Sequence, residues 1–389
     1  MKNCPGNKSY MRRSKIKVLH IYKTYYPDSL GGLEEAIRQT VKYNCNHGIE
    51  NRIMTVSSIP NPRVVKFKEA TVVRYKTLLD VFSTPISFEF CRNFRKNANA
   101  CDILHFHSPW AWGELNYLIG GIKKPSLVNY HSDLVRYRLL GKLYHPFFTE
   151  FLRRMDVVVV TSESHLNSSV ILKQFRDKCR IIPLSLDQDR FKGSSDDILQ
   201  RIKNKYGEDF FLFVGVLRAY KGLSYLLDAM VNIDRILIIV GKGPEERRLK
   251  DKAKSLELNN VIFTGYIGDK YLPAFYKLCR AFVFPSINRS ESFGVSLLEA
   301  SFFSKPMIST ELGTGTTLVN KHKETGLVVS PKNAIELKKS LSILSGNRQI
   351  CEKYGRNARK RFDKLFNLEL IGRKYIDIYN HLYEQQCRM

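Results

Sequence analysis

Acidic residues are in short supply in this chain: 37 Asp and Glu stand against 63 Lys and Arg, a formal charge of +26 over 389 residues. Such an excess implies an anionic partner, whether nucleic acid, lipid headgroups or a phosphorylated small molecule, and does not choose among them. Paired cysteines are missing as well. Cys4, Cys45, Cys91, Cys101, Cys179, Cys279, Cys351 and Cys387 form no C-x-x-C pair and no metal spacing. They read as reduced thiols of a cytosolic protein. No apolar run approaches the ~18–20 residues of a membrane span. The start MKNCPGNKSYMRRSKIKVLHIY is basic, but its short apolar piece is interrupted by His20 and Tyr22, so residues 1–14 read as a basic tail and not as a signal peptide. RNP, zinc-finger and helix-turn-helix signatures are absent, which makes a nucleic-acid-binding protein the weaker alternative and no nucleic acid the expected partner. The chain is expected to be soluble, cytoplasmic and peripheral on the inner face of the cell membrane.

What is present is an alternation of short β-rich runs with amphipathic helical stretches. The first half offers IKVLHIY (16–22), NRIMTVSS (51–58), DILHFH (102–107), SLVNYH (126–131) and DVVVVTS (156–162). After a polar stretch at 193–207 the second half offers FFLFVGVL (210–217), RILIIVGKG (235–243), NVIFTGY (260–266), AFVFPS (281–286), PMIST (306–310) and GLVVS (326–330). Apolar strands of this length separated by helices imply parallel sheets covered on both faces, with ligands at the carboxyl ends of the strands. The expectation is α/β: two Rossmann-like, doubly wound domains over 15–192 and 193–367, then a C-terminal helix over 368–389 that crosses back to the first.

Several strand ends carry chemistry. Gly31 and Gly32 follow the first strand and open an acid-rich helix, where backbone and helix N-terminus can approach an anion; the bland reading is a plain turn. His105 and His107 share a strand face and His131 ends the next strand, but no carboxylate or thiolate has matching metal spacing, so no metal is expected and His131 is the candidate for hydrogen bonding a substrate. Arg218 and Lys221 sit in a strand-end loop able to aim two cations at a diphosphate; the alternative is a solvated basic loop. DQD (187–189) lacks further acids nearby and is not read as a metal site. FEFCRNFRK (88–96) and LVRYRLLGKLYHPFFTEFLRRM (134–155) mix aromatics with bases and suit an anionic membrane surface, against the alternative of core helices with basic outer faces.

RSESFGVSLLEA (289–300) sets Glu291 and Glu299 eight positions apart. On one helix they would lie roughly 12 Å apart along the axis, too far to share a proton or a metal ion. With Phe293 and Gly294 as a loop-to-helix junction, the free amides of Val295 and Ser296 point at an anion and the two carboxylates reach hydroxyls on either side of it. That layout describes a nucleotide diphosphate sugar, hexose at Glu291 and ribose at Glu299.

This E-x7-E segment, with Lys221-Gly222, GKGP (241–244), the Gly31-Gly32 loop and IIPLSLD (181–187), resembles the retaining glycosyltransferase family 4 of the GT-B fold, from about residue 15 onward. YHSDLVRYR, FVGVLRAYKGL and STELGTGTTLVN look most like the branch that makes bacterial O-antigen lipopolysaccharide and exopolysaccharides as mannosyl- or rhamnosyltransferases. The resemblance implies that Gly32 approaches the donor phosphates, Lys221 neutralises them, Glu291 holds the hexose, Glu299 holds the ribose, and His131 bonds the hexose 6-hydroxyl or supports the reaction. It also implies base contacts at Tyr266 and Ile267 and a glycine-bearing strand end at Gly241. Val216 stands where the family's arginine usually does, with Arg218 two positions later, and Ser185 replaces a more usual glycine. The implied activity is metal-independent, cofactor-free, retaining transfer of a hexose, with mannose or rhamnose favoured. A GDP-sugar is favoured as donor, and a polyprenyl-diphosphate-linked glycan is the acceptor. A UDP-hexose-dependent transferase or a GT-B nucleotide-sugar epimerase is the alternative.

Overall fold

The computed structural model describes residues 15–29, 31–81, 84–132, 138–192 and 195–388. The basic tail 1–14, the start of the aromatic-basic segment 134–155 and the expected domain junction at 193 therefore lie outside the described residues. Among the described residues sixteen strands occur in chain order. The first ten are β1 Lys17–Ile21, β2 Glu50–Ser57, β3 Val64–Lys66, β4 Thr71–Lys76, β5 Leu79–Val81, β6 Thr84–Ile86, β7 Ile103–Ser108, β8 Ser126–Tyr130, β9 Val157–Val160 and β10 Cys179–Ile181. The remaining six are β11 Phe211–Val214, β12 Leu237–Val240, β13 Val261–Gly265, β14 Ala281–Phe284, β15 Met307–Thr310 and β16 Gly326–Val329.

Two sheets hold most of them, in the orders β10-β9-β8-β7-β1-β2-β4-β3 and β13-β12-β11-β14-β15-β16. Apart from β3, which runs antiparallel to β4, every pairing in both sheets is parallel. The reason is visible in the strands. VVVV (β9), LIIV (β12) and AFVF (β14) are buried along their whole length, so both faces must be covered by helices. In each sheet the winding reverses once, between β1 and β7 and between β11 and β14. Parallel sheets bind ligands at such reversals, in the crevice beyond the strand ends, so the loops after these four strands define where to look.

The helix Leu368–Arg388 returns to the first sheet as expected. Its Ile371, Tyr375, Tyr379 and Leu382 fall on one face and pack with Val18, Ile103, Leu127 and Val159 in a core cluster of their own. Among the described residues the cysteines are free thiols, and no helix is long and apolar enough to cross a membrane.

Candidate active site

At the reversal of the second sheet, one glycine explains how two loops meet. Gly222 adopts φ 71°, and a Cβ there would lie 2.0 Å from the Pro285 carbonyl oxygen. The loop after β11 thus packs directly on the loop after β14, which delivers Lys221 to Glu291. The Lys221 ammonium forms an ion pair with the Glu291 carboxylate, and the Ser286 hydroxyl donates to the same carboxylate at 3.1 Å. Lys221 Nζ also sits 4.6 Å above the centre of the Phe284 ring. Both charged groups are buried. Burial alone would lower the Lys221 pKa; the charge and hydrogen bond of Glu291, with the nearby Tyr220, together outweigh it, so the pKa is raised and the ammonium persists.

Phe293 is buried and Gly294, at φ 90°, turns the chain into the helix Val295–Phe302. No side chain caps this helix, whose first backbone bond runs from Leu297 N–H to Gly294 C=O. The amides of Val295 and Ser296 and the positive end of the helix dipole therefore face the crevice. Glu299 lies further along the helix, buried, accepting from the Tyr276 hydroxyl at 2.7 Å and paired with Arg190 at 2.8 Å. Burial raises the Glu299 pKa, opposed by the Arg190 charge. Arg190 spreads its guanidinium further, over both oxygens of Asp269 at 2.8 and 3.0 Å.

The first domain supplies the opposite wall. A Cβ on Gly32 would stand 3.5 Å from Val295 Cγ2, so the starts of the helices Gly32–Asn46 and Val295–Phe302 face each other. The start of Gly32–Asn46 already has an acid of its own: Glu34 accepts from Thr24 and Ser29 at 2.8 and 2.7 Å, and its Oε2 lies 2.3 Å from where a Gly31 Cβ would be. The acid-rich start expected from the sequence thus places the Glu34 carboxylate beside Gly31, at the same helix end whose amides the sequence reads as able to approach an anion. Arg218 is exposed, and its charge acts on Tyr22 and Lys23 of the loop after β1. It therefore lies between the two domains, whereas Val216 is exposed with 44% of its surface free. Gly241 comes within 2.0 Å (Cβ position to oxygen) of Gly215, joining the loops after β12 and β11. Tyr266 is exposed just past β13 while Ile267 packs against the core.

His131 is buried at the end of β8, its Nε2 3.2 Å from His107 Nδ1, and lines a narrow pocket with Thr40, Ser185 and Tyr375. His20, His105 and His107 hold ring nitrogens within 4.8 Å of one another. His20 and His107 are bonded to each other at 3.2 Å, and His105 Nδ1 lies 2.7 Å from the Tyr379 hydroxyl while its Nε2 is buried without a hydrogen-bond partner. A cation there would compete with the His20–His107 bond, and among the described residues the group includes no carboxylate. Asp187 of the DQD segment bonds the Asp189 amide at 3.0 Å and pairs with Lys42 of the first domain, and Asp189 pairs with Lys192. Sequence reasoning missed Arg190 and Tyr276 altogether. The one signal for Arg190 was its place directly after DQD, in the approach to the second domain.

The helix Phe88–Asn99 buries Phe90 and Phe94 and turns Arg92, Arg95 and Lys96 outward, a core helix with a basic outer face. Phe88, Ile119 and Phe147 nonetheless protrude from this and the two helices that follow it, 57%, 68% and 58% exposed.

Residues 30–190 match the profile of Glycosyltransferase Family 4, and residues 194–361 that of Glycosyl transferases group 1. The chain is 42% identical to D-rhamnosyltransferase WbpZ of Pseudomonas aeruginosa, over 90% of this chain and 92% of that protein. It is 36% identical to O-antigen chain mannosyltransferase C of Escherichia coli, over 95% of this chain and all of that protein. Among solved structures, sucrose-phosphate synthase from Thermosynechococcus elongatus superposes with a TM-score of 0.80 at 22% identity, covering 95% of this chain and 100% of that one. WaaG, a glycosyltransferase involved in lipopolysaccharide biosynthesis, does so with a TM-score of 0.69 at 16% identity, covering 93% and 99%.

Proposed function

The chain belongs to the family 4 glycosyltransferases and has their GT-B fold, and from that premise we propose that it moves a hexose with retention from a nucleotide diphosphate sugar to a lipid-linked glycan in bacterial surface polysaccharide synthesis. Mannose or rhamnose is the favoured hexose and GDP the favoured nucleotide, in keeping with the rhamnosyl and mannosyl activities named for its two relatives. The observation that carries the proposal is the convergence of Lys221, Glu291 and the uncapped start of Val295–Phe302 at the reversal of the second sheet. A diphosphate between Lys221, Arg218 and the helix amides meets fixed cations and dipoles, which stabilise charge as it develops on the leaving group. Glu291 then faces the hexose, and Glu299, with its pair to Arg190, faces the ribose.

In this reading no carboxylate attacks the sugar. Glu291 is already engaged by Lys221 and Ser286, so it serves as an acceptor for hexose hydroxyls. The substitution proceeds on the face that the diphosphate leaves, through an oxocarbenium-like state, and the departing phosphate oxygen takes the acceptor's proton. The cations neutralise the diphosphate without a metal or other cofactor. Peripheral attachment to an anionic inner membrane face is part of the proposal, through Phe88, Ile119 and Phe147 among the surrounding bases. Thermal shift against GDP- and UDP-sugars tests the donor: a GDP-sugar raises Tm more than its UDP counterpart, and the reverse order overturns the GDP assignment. Conversion of labelled donor without any acceptor would identify an epimerase instead.

A further inference from the structure

A polar stripe crosses the first sheet where parallel strands ordinarily bury apolar residues. Asn51 on β2, His20 on β1, His105 and His107 on β7, and His131 just past β8 are all buried. Three of the rings form a ribbon. His20 Nδ1 lies 3.2 Å from His107 Nε2, and His107 Nδ1 lies 3.2 Å from His131 Nε2. Neighbouring planes differ by 16° and 10° with centroids 5.6 and 5.5 Å apart, the spacing of rings joined edge to edge through their nitrogens. His105 stands outside the ribbon, bonded to the Tyr379 hydroxyl at 2.7 Å.

The ribbon has a direction. Asn51 Nδ2 faces the carbonyl oxygens of Val41 and Ile49, each at 3.2 Å. Carbonyls only accept, so the amide has one sensible orientation, and its Oδ1 faces His20 Nε2 at 3.3 Å. His20 must therefore carry its proton on Nε2. Burial lowers the pKa of His20 and His131 to about 4 and that of His107 well below its ordinary value, so each ring is neutral near pH ~7 with one proton. With its Nε2 protonated, His20 offers a lone pair at Nδ1, and the contact with His107 requires a proton on His107 Nε2. The same step repeats from His107 to His131.

We infer that Asn51, His20 and His107 form a tautomer lock that fixes His131 with its proton on Nε2 and a lone pair on Nδ1, making it a hydrogen-bond acceptor for a hydroxyl of the donor sugar. The sugar-facing role rests on the function proposed above; the lock itself does not. Asn51, His20 and His107 are positioning residues. A proton gained at Nδ1 has no exit through Asn51, whose amide oxygen accepts the His20 hydrogen bond but is too weakly basic to take up the proton itself, so the ribbon sets a tautomer and does not conduct protons to solvent.

Long-range proton–nitrogen correlation spectra of the full-length protein labelled with 15N-histidine read the tautomers directly. His20, His107 and His131 are each expected as the Nε2–H form at neutral pH. In His107→Gln the amide can both donate to His20 and accept from His131, so His131 keeps that form. In His107→Leu it becomes a mixture, and kcat for sugar transfer falls about tenfold while KM for the nucleotide sugar changes little. An Nδ1–H form at His131 in the unsubstituted protein overturns the lock, as does an unchanged tautomer in folded His107→Leu. Stoichiometric zinc or nickel on the purified protein that shifts the His20 and His107 nitrogens overturns it too. Nε2–H tautomers in a protein that transfers no sugar would support the lock while defeating the functional reading.

Discussion

Replacing Arg190 by methionine keeps most of the side chain's bulk and removes the charge that faces Glu299. Glu299 is 5% exposed at its side chain, so the carboxylate has little water to fall back on. Breaking a buried pair by removing one partner costs about 3–5 kcal/mol. Two features reduce that here: Arg190 is itself 20% exposed, and the Tyr276 bond at 2.7 Å survives. The expected loss is about 2–3 kcal/mol, or roughly 5–10 °C in the Tm of a domain of this size. The pH dependence has a definite sign. Glu299 has a raised pKa in the fold, and loss of Arg190 raises it further. A group of this kind contributes stability below its unfolded pKa and loses it as pH rises through the folded value. The deficit of Arg190→Met should therefore be small near pH ~5 and grow toward pH ~8. Glu299→Gln removes the charge that Arg190 compensates, so the double variant should be more stable than the sum of the single effects by about 2 kcal/mol. Urea denaturation of all four proteins at several pH values measures this. Additivity within about 0.5 kcal/mol, or a deficit that shrinks as pH rises, would refute the reasoning.

Glu291→Gln leaves the buried Lys221 without its charged partner, so it should lose stability but remain folded, and it should lose about 10²-fold or more in transfer rate; near-normal transfer would remove Glu291 from the donor site. Gly222→Ala should destabilise by about 3 kcal/mol, because φ 71° and a Cβ 2.0 Å from the Pro285 oxygen are both forbidden to alanine; an unchanged denaturation midpoint would show that the two loops are not locked together. If mannose is the native sugar and its 6-hydroxyl is the one His131 accepts from, His131→Ala should reduce kcat/KM for GDP-mannose by about tenfold more than for the 6-deoxy donor GDP-rhamnose, which lacks that hydroxyl; equal losses would place the contact on a hydroxyl the two sugars share. Vesicles containing anionic lipid should sediment the protein and release it at about 0.5 M salt, with Phe147→Ser weakening the interaction; equal binding to neutral vesicles would contradict the electrostatic part.

The two-sheet architecture was legible because parallel strands announce themselves. VVVV, LIIV and AFVF are continuous apolar runs that only a sheet covered on both faces explains. The short strands of the first domain gave no such signal: Leu79–Val81 is exposed throughout and three residues long, so nothing in its pattern separates it from a loop. The site divides along the same line. Glu291, Glu299 and the helix start between them fall within one segment, and Gly222 marks its own close contact. Arg190 meets Asp269 and Glu299 across 79 and 109 residues, and no local spacing encodes a contact of that range.

The histidines show what kind of information was missing. His105 and His107, two apart on one strand, already share a face in the sequence. What joins them to the rest is register: His20 pairs with His105 across β1 and β7, and His107 with Asn129 across β7 and β8. Parallel pairing is made over long crossovers, so neither match leaves a periodic trace along the chain. Once register is known, the orientation of a single amide at Asn51, set by two backbone carbonyls, propagates through three rings to a strand end. A property assigned to His131 in isolation thus belongs to four residues on four neighbouring strands and strand ends. A substitution at Asn51, on the far side of His20 and His107, is predicted to change which nitrogen His131 presents to its ligand.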